Sequence, residues 1–198
     1  ESIERNRQFP FDPMKLQAVV LSHAHIDHCG NLPNLCRQGY EGNIYCTFAT
    51  RDLASIMLED SAQIQRDDAA FVSKKRAKQG LPPVEPLYTA NDAEKSIRQF
   101  VAINYDRPFP VLDGVTVTFR DAGHILGAAQ VVLDIRENGR QFRYLFSGDI
   151  GRGQDDILRD PQPVEQVDIL QMESTYGARV HSEKTTANAE VGRLVRET

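Results

Sequence analysis

The chain has 198 residues, 40% hydrophobic and 26% charged, with 23 Lys and Arg against 28 Asp and Glu for a formal net charge of −5. That length allows one substantial domain of ordinary soluble composition, and the acidic balance argues against a histone-like protein that holds nucleic acid by bulk charge. No run approaches the roughly eighteen apolar residues that a membrane-spanning helix needs, so none is expected.

The chain opens without Met on the charged, helix-like stretch Glu1 to Arg7. Ala18-Val19-Val20-Leu21, within Gln17 to Ser22, is a short continuous apolar run that suits a buried strand. Gly42 to Cys46 reads as a second strand. Thr50 is placed to cap a helix that carries Leu53, Ile56, Met57 and Ile64 on one face, and Gly80 and Pro82-Pro83 stop it beyond Lys74-Lys75-Arg76-Ala77-Lys78. Thr89 with Asp92 starts another helix, expected to run through Ile97, Phe100 and Val101.

From Gly114 the period changes. Val115, Val117 and Phe119 alternate with polar residues as a half-buried strand does. Gln130 to Arg136 and Gln141 to Ser147 flank Glu137-Asn138-Gly139-Arg140, where Asn-Gly is a strong hairpin signal. Val167 to Met172 reads as one more buried strand. The last residues form an amphipathic pattern with Val191, Leu194 and Val195 at helical spacing and no cap. Both ends therefore read as cut from a longer chain, and the order of elements predicts a layered α/β or α+β domain.

Three cysteines, Cys29, Cys36 and Cys46, lack a CxxC pair, which argues against a disulfide scaffold and for a reducing, cytoplasmic setting. Cys29 follows His28 directly and offers either a thiolate ligand or a small buried hydrophobe.

The chemistry concentrates in His23-Ala24-His25-Ile26-Asp27-His28, immediately after the first strand. In an extended segment His23, His25 and Asp27 project to one side, and His28 joins them once the chain bends at Cys29-Gly30. Imidazole nitrogens and carboxylate oxygens are the ligands a zinc-like ion takes at roughly 2.0–2.2 Å. Four such groups in six residues exceed what one tetrahedral ion draws from so short a loop, which suggests two ions. His124, in Asp121-Ala122-Gly123-His124, and Asp149, in Leu145-Phe146-Ser147-Gly148-Asp149, each follow a strand, so several strand ends supply metal-type residues at one sheet edge. No Walker loop and no GxGxxG occurs.

His-x-His-x-Asp-His, the later Gly-His and Ser-Gly-Asp resemble the metallo-β-lactamase superfamily. Glu173-Ser174-Thr175-Tyr176-Gly177, followed by Arg179 and His181, resembles its RNA-processing β-CASP branch, the family of the cleavage-and-polyadenylation endonuclease. The resemblance spans nearly the whole chain. It implies an αββα sandwich incomplete at both ends, with residues 1–198 as a fragment of one metallo-β-lactamase domain. It implies His23, His25 and His124 on a first zinc, Asp27 and His28 on a second, and Asp149 bridging them. Glu173 matches an acidic residue that, in this branch, supports a proton-donating histidine; the alternative is a helix- or turn-capping carboxylate. His181 is either an orienting residue or a surface histidine. The family's first motif would precede Glu1, while the inserted β-CASP domain, the proton donor and the last ligand of the second zinc would follow Thr198. The chain by itself is therefore expected to have little activity.

The implied function is a zinc-dependent phosphodiester hydrolase acting on single-stranded RNA, as an endonuclease or 5′ exonuclease. Two ions about 3.5–4 Å apart clamp an in-line displacement and bring the pKa of a shared water from ~15.7 toward ~7. Asp27 then receives the proton of that water. Lys74, Lys75, Arg76 and Lys78 offer either an RNA contact or a solvated helix end. A thioesterase or lactonase would fit the metal loop equally well but has no reason to carry Glu173 to Gly177. A non-catalytic scaffold subunit of an RNA-processing complex would be expected to lose ligands. Nothing in the sequence specifies an oligomer.

Overall fold

The computed structural model describes residues 6–178 and 184–197. Strands β1 (Ala18–Val20), β2 (Asn43–Cys46) and β3 (Phe100–Ala102) pair in parallel as a three-stranded sheet. The short apolar runs alternate strictly. Val19, Ile44 and Phe100 stand side by side in register and pack against helices, whereas Val20 and Tyr45 face the other way, into a second core. That second core lies against a five-stranded sheet of β4 (Phe109–Leu112), β5 (Val115–Asp121), β6 (Ala129–Glu137), β7 (Arg140–Phe146) and β8 (Ile169–Gln171), antiparallel except for the parallel β7–β8 pair. Phe119, Val131 and Phe146 form one inward row across three of its strands. The two sheets are thus pressed face to face by the period-2 pattern of their residues. Asn138 and Gly139, at φ 51° and 74°, make the tight turn of the β6–β7 hairpin.

The helical layer covers the outer face of the smaller sheet. It comprises α1 (Ile26–Cys29), α2 (Leu32–Arg37), α3 (Phe48–Ala77) and α4 (Ala90–Ile97). The outer face of the larger sheet is crossed by residues 162–166, tied down where the Gln130 amide donates to the Gln162 carbonyl at 2.6 Å. A last helix, α5, spans Lys184–Glu197, and its Val191, Leu194 and Val195 are exposed. Arg179 and His181 lie outside the described residues. No described helix is long and apolar enough to cross a membrane.

Several sequence expectations need correction. The helix capped at Thr50 starts earlier: Thr47 is the cap, accepting from the Thr50 amide at 3.3 Å. Its buried stripe is Thr50, Ala54, Leu58, Ala62 and Ala69, one residue per turn over the first four, and small enough for the helix to lie close to its neighbours. Leu53 borders that stripe, but Ile56, Met57 and Ile64 are exposed because Ile56 faces away from it and the other two lie on its flank. The capping box of Thr89 and Asp92 forms as expected, yet α4 ends at Ile97 and Phe100–Ala102 is β3, completing the parallel sheet. β8 is not buried. Its residues are exposed because it is the edge strand, paired only with β7.

Phe119 is fully buried between the sheets. Phe119→Ala should lower stability by about 3–5 kcal/mol and the thermal midpoint by roughly 10 °C, read by circular dichroism melting.

Candidate metal centre

Three strand ends meet at one edge of the sandwich. Beyond β1 the Leu21 amide donates to the Tyr45 carbonyl of the smaller sheet at 2.8 Å, and the Ser22 carbonyl accepts from Ala129 of the larger one at 2.9 Å. The chain is thereby pinned between the sheets just before His23, whose Nδ1 is 3.1 Å from the Ser22 hydroxyl. His124 and Asp149 each come three residues after a strand, β5 and β7. Gly148, at φ +55°, precedes Asp149; a Cβ there would stand 2.9 Å from Cβ of Ser22, so only glycine lets these two loops approach.

The His124 loop has its own anchor. The Gly127 carbonyl accepts from the hydroxyls of Thr47 at 2.7 Å and Thr50 at 2.8 Å, both buried in the first turn of α3. Gly127 sits at φ +86°, and a Cβ there would collide with the Thr50 amide nitrogen, leaving no room for a side chain. Sequence reasoning missed this clamp. Thr47 and Thr50 are about eighty residues from Gly127, and no local pattern signals the pairing.

These loops bring His23, His25, His124 and Asp149 together, with one ligand atom from each within 4.8 Å of every other. His25 Nδ1 lies 3.1 Å from His23 Nε2 and 3.0 Å from His124 Nε2. Asp149 Oδ2 lies 3.7 Å from the former and 3.5 Å from the latter. A tetrahedron with ligands ~2.0–2.1 Å from its centre has edges of about 3.3 Å, so this donor set fits a zinc-sized ion. The imidazoles do not satisfy one another. His25 Nδ1 carries either one proton or one lone pair and cannot serve both neighbours. Burial, reinforced by His28, His124 and His25, pushes His23 down to about 3, so its ring is the neutral form a metal binds. Burial also lowers His124, against the opposing pull of Asp149.

Asp27 and His28 are placed differently from the sequence expectation. The chain is extended only as far as His25, which becomes the N-terminal cap of α1. Asp27 and His28 therefore sit on a helical turn, with the His28 amide donating to the His25 carbonyl at 3.0 Å. Strand alternation consequently aligns His23 and His25 but not Asp27. The turn still delivers His28 to the site, its Nε2 being 3.3 Å from the second Asp149 oxygen, Oδ1. Asp27 is at the rim, its carboxylate 3.7 Å from His28 Nε2 and largely exposed.

Glu173 lies just past β8, where Oε1 accepts from the Ile150 amide at 2.8 Å. It is thus a turn-capping carboxylate that also faces the cleft beside His124. Cys29 is no thiolate: it is fully buried, donates to the Ala24 carbonyl, and burial raises its thiol to about 11. The basic run at Lys74–Lys78 belongs to the far end of α3, about 45 Å along the helix from Thr47. His25, Asp27, His28, His124 and Asp149 line an open cleft of about 780 Å³, with Arg152, Glu173 and Tyr176 on its walls.

Residues 2–186 match the family model of the metallo-beta-lactamase superfamily. The chain belongs to that superfamily. Among curated proteins it is similar to ribonuclease TTHA0252 of Thermus thermophilus, 33% identical over 181 residues that cover 91% of this chain and 37% of that protein. Transcription termination factor FttA of Methanocaldococcus jannaschii is 34% identical over 187 residues, 92% of this chain and 27% of its own length. Endoribonuclease YSH1 of Eremothecium gossypii is 30% identical over 193 residues, 95% and 23% respectively. The chain thus spans about a quarter to a third of these relatives, whose names accord with the RNA-processing β-CASP resemblance. A B3 metallo-β-lactamase with an active-site glutamic acid shares the fold at TM-score 0.52 and 13% identity, covering 98% of this chain and 71% of that one.

Asp149→Ala removes the carboxylate that faces both His23 with His124 and His28. Elemental mass spectrometry should show metal content falling well below that of the parent protein; an unchanged content would mean that Asp149 holds no metal. Thr50→Val removes one anchor of the His124 loop and should weaken metal affinity roughly ten-fold in competition with a chromophoric chelator, with Thr50→Ser restoring it.

Proposed function

We propose that this site is the two-zinc centre of a phosphodiester hydrolase that cleaves single-stranded RNA. The supporting observation is the division of the Asp149 carboxylate, with Oδ2 toward His23 and His124 and Oδ1 toward His28. In this reading His23, His25 and His124 hold one ion, Asp27 and His28 hold the second, and Asp149 joins them. Zinc, when bound, supplies an activated water and positive charge against the phosphate oxygens. The chain's own residues do the rest. Asp27, at the solvent-exposed rim, takes the proton released from that water and passes it to solvent. Glu173, fixed by the Ile150 amide, orients the group that protonates the leaving oxygen. The ribonuclease names of the relatives support RNA as the substrate, and the open cleft suits a polymer better than a small molecule.

In excess over a 5′-labelled single-stranded RNA, to register the little activity expected of the chain by itself, zinc-loaded protein should shorten the RNA, with the activity lost on chelation and in Asp149→Ala. Hydrolysis of a thioester with RNA left intact would replace this reading by the small-molecule hydrolase. Metal binding without hydrolysis of either substrate would favour a scaffold role.

A further inference from the structure

Beside the metal cleft is a second cavity, of about 340 Å³, which shares Leu158 with it. That volume lies at the small end of the range for ligand pockets and suits a single nucleotide unit. One wall is Leu126, two residues beyond His124 and 57% exposed; the others include Phe48, the first residue of α3, and Ile157, 83% exposed. Large apolar side chains this exposed, clustered at the mouth of a polar site, mark a surface that takes a flat apolar partner. The Phe48 ring is already held by the Arg51 guanidinium, 5.5 Å from its centroid.

The same cavity also carries two exposed polar side chains. Asn104 and Arg159 line it, both are exposed, and neither makes a side-chain hydrogen bond or ion pair among the described residues. An amide presents one donor edge and one acceptor edge, which is what a base edge requires, and a guanidinium matches a phosphate. Apolar walls, an exposed amide and an exposed guanidinium, adjoining a metal cleft, are together the complement of one nucleotide of a single strand.

We propose that this cavity is a nucleotide subsite of the RNA path. The base of a nucleotide flanking the scissile phosphate lies against Phe48, Leu126 and Ile157. Asn104 reads its edge and Arg159 takes the adjoining phosphate. The subsite therefore sets where the strand is cut, while the metal centre does the cutting. The inference rests on the RNA-hydrolase reading and adds to it the residues that hold the strand.

The test pairs RNA and a minimal phosphodiester with the variant Phe48→Ala in the zinc-loaded protein. For a single-stranded RNA decamer, KM should rise roughly ten-fold in Phe48→Ala, as expected for one lost base stack. Hydrolysis of bis(p-nitrophenyl) phosphate, which has no base to place, should stay unchanged. A set of decamers with one abasic position moved along the strand should show a loss at one fixed distance from the cut in the parent protein, and none in Phe48→Ala. Cleavage of RNA with a flat abasic profile and an unaffected KM would overturn the subsite and leave the hydrolase reading standing. Equal losses on both substrates would also overturn it, since Phe48 would then act only through the fold. If the decamer is neither bound in fluorescence anisotropy nor cut, both readings fall.

Discussion

One imidazole nitrogen, His25 Nδ1, is pressed between two others at 3.0 and 3.1 Å and can hydrogen-bond with only one of them. Such an arrangement costs free energy unless a cation takes the lone pairs, so the surrounding structure must impose it. His23 is buried where the two sheets meet, in an environment that excludes the imidazolium that would relieve the crowding by leaving for solvent. The remaining donors are mounted on short tethers from strand ends. The sandwich can therefore be seen as a device for holding three rings and a carboxylate at distances none of them would choose alone.

The tethers differ in kind. His23 is fixed by main-chain bonds to both sheets. Asp149 is fixed by close backbone approach, since Gly148 touches Ser22 directly. His124 is fixed by a helix: two buried hydroxyls in the first turn of α3 grip one carbonyl in its loop. Any relaxation of α3 against the sheet would therefore be felt at His124 first. The mostly small residues of the buried stripe along α3, Leu58 apart, have a role in this, because they allow the helix to sit close enough for Thr47 and Thr50 to reach across.

Much of this was legible in the sequence, and the failures have a common cause. The strands around Val19, Val117, Val131 and Tyr144 are visible as runs or alternations, and the capping box of α4 is a local signal. The structure brings His23, His25, His28, His124 and Asp149 to one edge; of these, His23, His124 and Asp149 each come three residues after a strand that is legible as a run or an alternation. The errors came where a tertiary contact overrides a local pattern. The face of α3 is chosen by close approach rather than by its largest side chains, so Ile56 stays outside. Phe100 continues the helical spacing of α4 but is claimed by the edge of a parallel sheet. Asp27 continues the alternation of His23 and His25, yet a helical turn closes on the His25 carbonyl and moves it to the rim. The Thr47–Thr50–Gly127 clamp joins residues too far apart in sequence for any pattern to show.

That an acidic chain should hold a polyanion is less of a contradiction than its charge of −5 suggests. Long-range attraction is set by net charge, but the fate of a phosphate in the cleft is set by the few groups within a Debye length of ~8 Å. In the proposed centre the carboxylates of Asp27, Asp149 and Glu173 would stand against two divalent ions. The local balance would then be positive, in the place where phosphate oxygens would lie. Acidic residues elsewhere oppose indiscriminate adhesion of nucleic acid to the surface. In the proposed reading, binding would come from that one site and from shape, which the cavity lined by Asn104 and Arg159 would supply.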